Sequence, residues 1–205
     1  SLSIDSSLFG PDVVAGNGVL ATSSTATNIH SHLAMAQPDE WVDYEYSGRM
    51  MTSGSSSSLG VTAYSEYPQR DAYYRVRAER GGSFHLSPHP DGAFSMACTS
   101  ADTGVQLAAD QWYRFRIQVQ TESSHTSVLA KVWRDGQAEP SNWAIDCLHQ
   151  ESDRLTGGTV GVWAMGSGEK YWDDISVERL GGTGETPTPV PPPVPAALEP
   201  PVLLE

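Results

Sequence analysis

The clearest pattern in the chain is an alternation of apolar and polar side chains over short segments. Between residues 112 and 120 the apolar members are Tyr113, Phe115, Ile117 and Val119. Arginines and glutamines stand between them. A period of two places successive side chains on opposite faces of a β-strand. Residues 127–133 repeat the pattern, and Arg134-Asp-Gly136 supplies a turn after them. These two segments therefore predict adjacent strands, each with one apolar face.

The rest of the first 180 residues predicts strands of the same kind. They cover 41–50, 59–67, 72–78, 83–87, 93–98, 142–148, 158–165 and 171–180, and Gly, Pro, Asp or Ser bound most of them. No segment shows a convincing helical period. Many short strands at regular spacing predict an all-β fold, a two-sheet antiparallel jelly-roll sandwich.

The composition changes sharply after Leu180 and predicts a second region. Residues 1–180 form the predicted sandwich, and residues 181–205 a Gly/Thr/Pro-rich tail. The run 186–195 is largely proline, which favours an extended polyproline II form and cannot pair in a sheet. Leucines follow at positions 198, 203 and 204. Since a plain spacer needs no leucines, one hypothesis is that the tail docks on another copy of the chain.

Charge and hydropathy limit the partners. The net charge is −13, and a nucleic-acid binder needs a basic footprint, so we expect no nucleic-acid partner. No stretch approaches the roughly 20 apolar residues that cross a bilayer. The sequence begins at Ser1 rather than methionine, for which removal of a signal peptide is the simplest account. We expect a secreted or cell-surface protein.

The two cysteines, Cys98 and Cys147, favour one disulfide. An even count in a polar, Ser/Thr/Gly-rich chain is typical of extracellular domains. Closing a loop of this length stabilises the fold by about 4 kcal/mol in the chain-entropy model. The alternative is a pair of buried free thiols.

A longer series of motifs carries a family resemblance. It consists of Trp112-Tyr-Arg-Phe-Arg-Ile, Ala130-Lys-Val-Trp-Arg-Asp-Gly136, Glu139-Pro140, Trp143, Gly158-Thr-Val-Gly161 and Tyr171-Trp-Asp-Asp-Ile-Ser-Val177. This order resembles laminin-G-like modules of the concanavalin A-like lectin/glucanase superfamily. The resemblance implies a two-sheet jelly roll outside the cell, often with bound sugar or calcium. It does not set the function, because lectins, lyases, hydrolases and spacer domains share this fold.

The chain departs from the glucanases of that superfamily. Those enzymes carry the pattern Glu-x-Asp-x-x-Glu on one strand, whereas the nearest match here is Asp43-Tyr-Glu45, which lacks the third acid. Retaining glycoside hydrolysis needs two carboxyl groups about 5 Å apart. We therefore expect no catalytic carboxylate pair of the glucanase kind, and we do not expect the chain to be an enzyme.

Asp173 and Asp174 are the predicted metal ligands. Asp173 shares its phase with Ile175 and Val177, so it is expected to point inward, where a carboxylate needs a partner or a metal. In jelly rolls of the resembling kind an aspartate here helps to hold a structural Ca²⁺. The alternative is that Asp173 accepts backbone hydrogen bonds. His30 and His32 share one face of a strand, but a zinc site needs further ligands, and none is evident.

The polar face of the strands supplies the candidate ligand-binding residues. They are Tyr73, Arg75, Arg77, Arg114, Arg116, Lys131 and Trp133. If their strands share a sheet, aromatic rings would stack on pyranoses and guanidinium groups would bind carboxylates or sulfates of an acidic glycan. The alternative is ordinary cross-strand pairing of arginines with acidic residues. For Trp133, and for Trp143 nearby, packing over the edge of the sandwich is the favoured interpretation.

Three functions follow from these observations. The first is a non-catalytic extracellular module that binds polysaccharide. The second is a structural subunit of a filament or surface layer, built through residues 181–205. The third is a polysaccharide lyase, with Tyr73 or His85 as the base and Arg75 neutralising a uronate carboxylate.

Overall fold

The computed structural model describes residues 5–33, 41–79, 81–92 and 94–181. One 3₁₀ turn, Asp5–Leu8, precedes fourteen strands in this part of the chain. The first seven are β1 (Gly10–Val14), β2 (Asn17–Thr22), β3 (Ile29–His32), β4 (Tyr44–Thr52), β5 (Ser58–Ser65), β6 (Tyr74–Glu79) and β7 (Ser83–Leu86). The other seven are β8 (Met96–Ser100), β9 (Asp102–Gln106), β10 (Tyr113–Thr121), β11 (Thr126–Arg134), β12 (Ile145–His149), β13 (Thr159–Met165) and β14 (Lys170–Arg179).

The strands form two antiparallel sheets that enclose one hydrophobic core. The eight-stranded sheet has the order β1-β2-β14-β4-β10-β11-β12-β8, and the six-stranded sheet has the order β3-β13-β5-β6-β7-β9. The predicted all-β two-sheet sandwich is thereby confirmed. None of the described residues forms an apolar helix of the length that a bilayer crossing requires.

The alternation in β10 produces the core as predicted. Tyr113, Phe115, Ile117 and Val119 are buried, whereas the arginines between them lie on the outer face. Buried aromatic side chains in this core also bridge the two sheets. Tyr46 donates its hydroxyl to the carbonyl of Gly161, and the Trp172 indole donates to the carbonyl of Gly60. Such bonds satisfy polar groups that would otherwise be costly inside the sandwich.

The predicted disulfide is confirmed and lies within one sheet. Cys98 of β8 and Cys147 of β12 are bonded, 49 residues apart in the chain. These strands are neighbours at one edge of the eight-stranded sheet. The bond therefore fastens the edge strand β8 to the rest of its sheet.

Four strands lie outside the segments that the sequence pattern predicted: β1, β2, β3 and β9. Most side chains of β1 and β9 are exposed, so these edge strands lack an apolar face to read. The prediction for the tail, and with it the docking hypothesis for residues 181–205, falls almost entirely outside the described residues.

The prediction that Asp173 points inward is wrong because β14 contains a bulge. Asp173 pairs with Arg49 and Ser176 pairs with Ser47, so that two residues lie opposite Gly48. Asp174 occupies the left-handed region, with φ of 52°. A bulge reverses the alternation beyond it. Before the bulge, Trp172 points into the core and Asp173 points to the outer face. Beyond the bulge, Val177 packs against the core although it differs from Asp173 by an even number of positions.

Candidate functional site: the outer faces of the two sheets

The seven predicted ligand-binding residues divide between the two sheets. Tyr73, Arg75 and Arg77 lie at or on β6 of the six-stranded sheet. The other four, Arg114, Arg116, Lys131 and Trp133, lie on β10 and β11 of the eight-stranded sheet. The condition that these strands share a sheet is not met. The predicted single binding face is therefore wrong, and two outer faces must be considered separately.

The outer face of the eight-stranded sheet carries a network of charges, here called the ion-pair face. Its cations are Arg49, Arg114, Arg116 and Lys131, and its carboxylates are Glu45, Asp135, Glu139, Asp173 and Asp174. The strand register places Arg114 opposite Arg49 and Arg116 opposite Lys131. Like charges in these positions repel, so the carboxylates are needed to hold the cations together.

Arg49 is the centre of one half of the ion-pair face. Its Nη2 donates to Asp173 Oδ2 at 2.5 Å, and its Nη1 donates to Asp135 Oδ2 at 3.3 Å. Asp135, from the turn after β11, also accepts from Arg114 Nε at 2.6 Å. The hydrogen bond that Arg49 donates to Asp173 is the main cause that raises the pKa of Arg49. This half is therefore a matched set of permanent charges.

Arg116 and Lys131 form the other half with two glutamates. Arg116 donates to Glu45, and its Nε lies 2.9 Å from Glu139 Oε1. Lys131 Nζ lies 2.8 Å from the same oxygen. The hydrogen bond from Lys131 is the main cause that lowers the pKa of Glu139. Cross-strand pairing, one of the two interpretations left open by the sequence, is what the structure shows here.

Aromatic side chains border the ion-pair face at both ends. The Arg49 guanidinium lies 4.6 Å from the ring centroid of Trp112, and the Tyr171 ring lies 6.5 Å from that of Trp112. At the opposite end, Lys131 Nζ lies 4.8 Å from the ring centroid of Trp143. Trp133 is nearly buried and lines an open cleft of about 410 Å³ with residues of the β9 strand and of the turn after β11.

Asp173 and Asp174, the predicted calcium ligands, belong to this network. Asp173 Oδ2 accepts from Arg49 and from the Asn17 amide at 2.6 Å, and Asp173 Oδ1 accepts from the backbone nitrogen of Asp174 at 2.8 Å. Asp174 lies 3.4 Å from both Arg49 and Arg114. Nowhere in the described part of the chain do three His, Cys, Asp or Glu side chains gather into a metal site. Calcium at this position stays a prediction.

The outer face of the six-stranded sheet is mostly covered. The Arg75 side chain is 0 % exposed. It donates to Asn28 Oδ1, to the Ser87 carbonyl and to Asp91 Oδ1, the last at 2.7 Å. Its guanidinium also lies 4.8 Å from the ring centroid of Trp163. The segment after β7 thus crosses Arg75 and takes up its donors, and burial lowers its pKa.

Beside Arg75 lies a group of stacked rings, here called the His–Tyr cluster: His30, His32, Tyr67, Tyr73 and His89. His32 Nε2 lies 2.9 Å from His30 Nδ1, and His89 Nε2 lies 3.2 Å from Asp71 Oδ2. Burial, followed by the charges of His30 and His89, lowers the pKa of His32 to about 3. His32 is therefore neutral at physiological pH.

Tyr73 and Arg75 are poorly placed for the lyase roles that the sequence suggested. Tyr73 is 0 % exposed, and its hydroxyl has no hydrogen-bond partner among the residues that the structure describes. Burial is the main cause that raises its pKa, which disfavours a phenolate base. Since Arg75 is also enclosed, a polymer would not reach either side chain without rearrangement of the covering segments.

Sequence reasoning missed several residues of the ion-pair face, among them Arg49, Asp135 and Tyr171. The alternation in β4 could have placed Arg49 outward, beside the arginines of β10. Asp135 lies in a turn, and Tyr171 precedes a bulge, so neither has a periodic signal. These residues come together on one face only through the strand order of the sheet, which no local pattern specifies.

No protein-family model matches the chain, and no curated protein resembles it in sequence. Solved structures do resemble it in fold. The carbohydrate-binding module CBM66 from Bacillus subtilis matches with a TM-score of 0.51 and 8 % identity, over 83 % of this chain and 91 % of that one. A glycoside hydrolase family protein from Mycobacterium thermorestibile matches with a TM-score of 0.48 and 15 % identity, over 80 % and 77 % of the two chains.

A galectin from Caenorhabditis elegans matches with a TM-score of 0.39 and 9 % identity, over 78 % of this chain and 96 % of the galectin. At such identities the likeness concerns the fold. Membership of the laminin-G-like group in particular stays a prediction.

Proposed function

We propose that the described domain is a non-catalytic, extracellular carbohydrate-binding module, and that it binds glycan on the ion-pair face. The observation that carries this proposal is the composition of that face. Partly exposed arginine–carboxylate pairs lie beside the aromatic rings of Trp112 and Tyr171. Aromatic faces stack on sugar rings, and paired charges present donors and acceptors to hydroxyl groups.

The fold supports the proposal. Its jelly roll is similar to that of the module CBM66, which is named as carbohydrate-binding. The difference in exposure between the two outer faces favours the eight-stranded sheet as the location of the binding site. Arg114 is 40 % exposed, whereas Arg75 of the six-stranded sheet is enclosed. A ligand can therefore reach the first face without moving a loop.

Asp135 and Glu139 of the ion-pair face are poorly suited to the acid role in glycoside hydrolysis. A glycosidase needs one carboxylic acid whose pKa is raised so that it can donate a proton. Burial alone would raise the pKa of Asp135, but hydrogen bonds from Arg114 and Arg49 lower it. The pKa of Glu139 is also lowered, first by Lys131. Neither group holds a proton near neutral pH.

The disulfide supports an extracellular location. Bonds such as Cys98–Cys147 form and persist in oxidising compartments and are rare in the cytosol. The acidic charge of −13 also favours solubility in such an environment.

A panel of polysaccharides tests the proposal. The chain should be retarded in affinity electrophoresis by at least one of them, and it should release neither reducing ends nor unsaturated products from any. Arg114→Ala should weaken binding, because it removes an exposed donor from the ion-pair face. Arg77→Ala is the matched control, since Arg77 lies on the other sheet. Retardation by no polysaccharide, or product release, would contradict the proposal. Loss of binding in Arg77→Ala alone would move the site to the six-stranded sheet.

A further inference from the structure

The aromatic pair at one end of the ion-pair face has the properties of a sugar platform. The rings of Trp112 and Tyr171 lie 6.5 Å apart, with 38° between their planes. Both side chains are partly exposed. We propose that Trp112 and Tyr171 bind one sugar ring and that the ligand of this face is a neutral glycan. The inference rests on the proposed function and specifies its substrate class.

Hydrogen-bonding groups continue directly from the platform. Arg49 contacts Trp112 and lies 3.4 Å from Asp174. Asp174 lies at the same distance from Arg114. Asp174 is 47 % exposed, so its oxygens remain open to a ligand. A sugar hydroxyl both donates and accepts, and a guanidinium beside a carboxylate serves both needs at once.

The charge balance of the face disfavours an anionic ligand. Four cations face five carboxylates, so every cation is matched and one carboxylate is in excess. A uronate or sulfate could bind an arginine only by displacing a carboxylate. That carboxylate would lose its partner at a cost comparable to the gain. The acidic glycan expected from the arginines of the sequence is therefore disfavoured.

The surroundings of the platform reinforce this point. Tyr171 has a raised pKa, first because of burial and then because of Glu169, Asp12 and Asp110. The negative charges of these three carboxylates act on the phenol. An acidic sugar stacked there would be repelled, whereas a neutral sugar has no charge on which this field can act.

Binding to charged and uncharged polymers distinguishes this inference from the proposed function. The full chain should bind one or more neutral polysaccharides, and its affinity should be unchanged between about 50 mM and about 500 mM NaCl, because salt screens only charge–charge attraction. The acidic arm of the panel is polygalacturonate, alginate and chondroitin sulfate. Binding to these alone, weakened by salt, would overturn the neutral-ligand inference and leave the proposed function standing. Binding to nothing would overturn the function itself.

Three alanine variants test the platform. Trp112→Ala and Tyr171→Ala should each weaken binding about tenfold, since a stacked aromatic contributes on the order of that factor. Trp143→Ala is the matched control, because Trp143 packs on Lys131 at the other end of the same face. Circular dichroism checks each fold, and Tyr171→Ala provides the test if Trp112→Ala does not fold. Unchanged binding by a folded platform variant, or loss in Trp143→Ala alone, would overturn the assignment.

Discussion

The two outer faces of the sandwich use arginine in opposite ways. On the eight-stranded sheet, Arg49, Arg114 and Arg116 lie partly in solvent and pair with carboxylates. On the six-stranded sheet, Arg75 is enclosed by Ser87, Asp91 and Asn28, beside a cluster of stacked histidines and tyrosines. Both arginine sets stand at outward positions of alternating strands. The difference lies in the segments that cover one face and leave the other open.

This comparison shows that an outward position in a strand does not imply access to a ligand. The open face keeps groups that solvent and a glycan can reach. The covered face has become a second, smaller interior, in which polar groups bond to each other. We expect mutations on the covered face to act on stability and those on the open face to act on binding.

The largest expected effect distinguishes Arg75 from Arg116. Arg75→Ala should lower the free energy of unfolding by about 3 kcal/mol, because it removes hydrogen bonds and packing from an enclosed site. Arg116→Ala should cost less than about 1 kcal/mol, because its ion pairs are 32 % exposed on the arginine side. Urea unfolding at neutral pH measures both. Equal losses would remove the distinction between a covered and an open face.

A pH titration of stability tests the covered face next. His32 has a pKa of about 3 in the folded chain and about 6.5 when unfolded. Between these values the unfolded chain takes up a proton that the folded chain does not, so stability is lost as the pH falls below about 6.5. The loss should be on the order of 2–3 kcal/mol at pH 4.

The matched variants for this titration are His32→Gln and His125→Gln. His32→Gln should remove most of the dependence of the unfolding free energy on pH. A smaller dependence should remain from His149, because burial lowers the pKa of that side chain. His125 lies in the turn between β10 and β11, so its replacement should leave the curve as it is. A wild-type curve without loss between pH 6 and pH 4 would contradict the burial of His32.

The smallest expected effect is the difference between phenylalanine substitutions at the adjacent tyrosines Tyr73 and Tyr74. The Tyr74 hydroxyl lies 2.9 Å from His149 Nδ1 and accepts from the Leu155 backbone nitrogen, so Tyr74→Phe should cost about 1–2 kcal/mol. The Tyr73 hydroxyl has no partner among the described residues, so Tyr73→Phe should change stability by less than about 0.5 kcal/mol. Thermal unfolding measures the pair. A clear loss in Tyr73→Phe would mean that its hydroxyl is bonded in solution.

Much of the sandwich could be predicted because its signal is local. Strands β10 and β11 were recognised from alternation, since one face of each is buried in the core. The inward placement of Asp173 failed because a single bulged residue, Asp174, reverses the phase without changing the residue types. The expectation that the candidate ligand-binding residues share one sheet failed for another reason. Assigning Arg75 and Arg114 to one face required the strand order, which depends on long-range pairing.

By itself the sequence determined that the chain forms strands, which side chains of the central strands enter the core, and that two cysteines are available for a bond. Those properties follow from period-two patterning and composition, which act within a few residues. Only the tertiary structure decided which arginines share a face, which are matched by Asp135 or Glu139, and that Trp112 meets Tyr171. These arrangements depend on contacts between segments far apart in the chain, and no local sequence pattern predicts which of those contacts form.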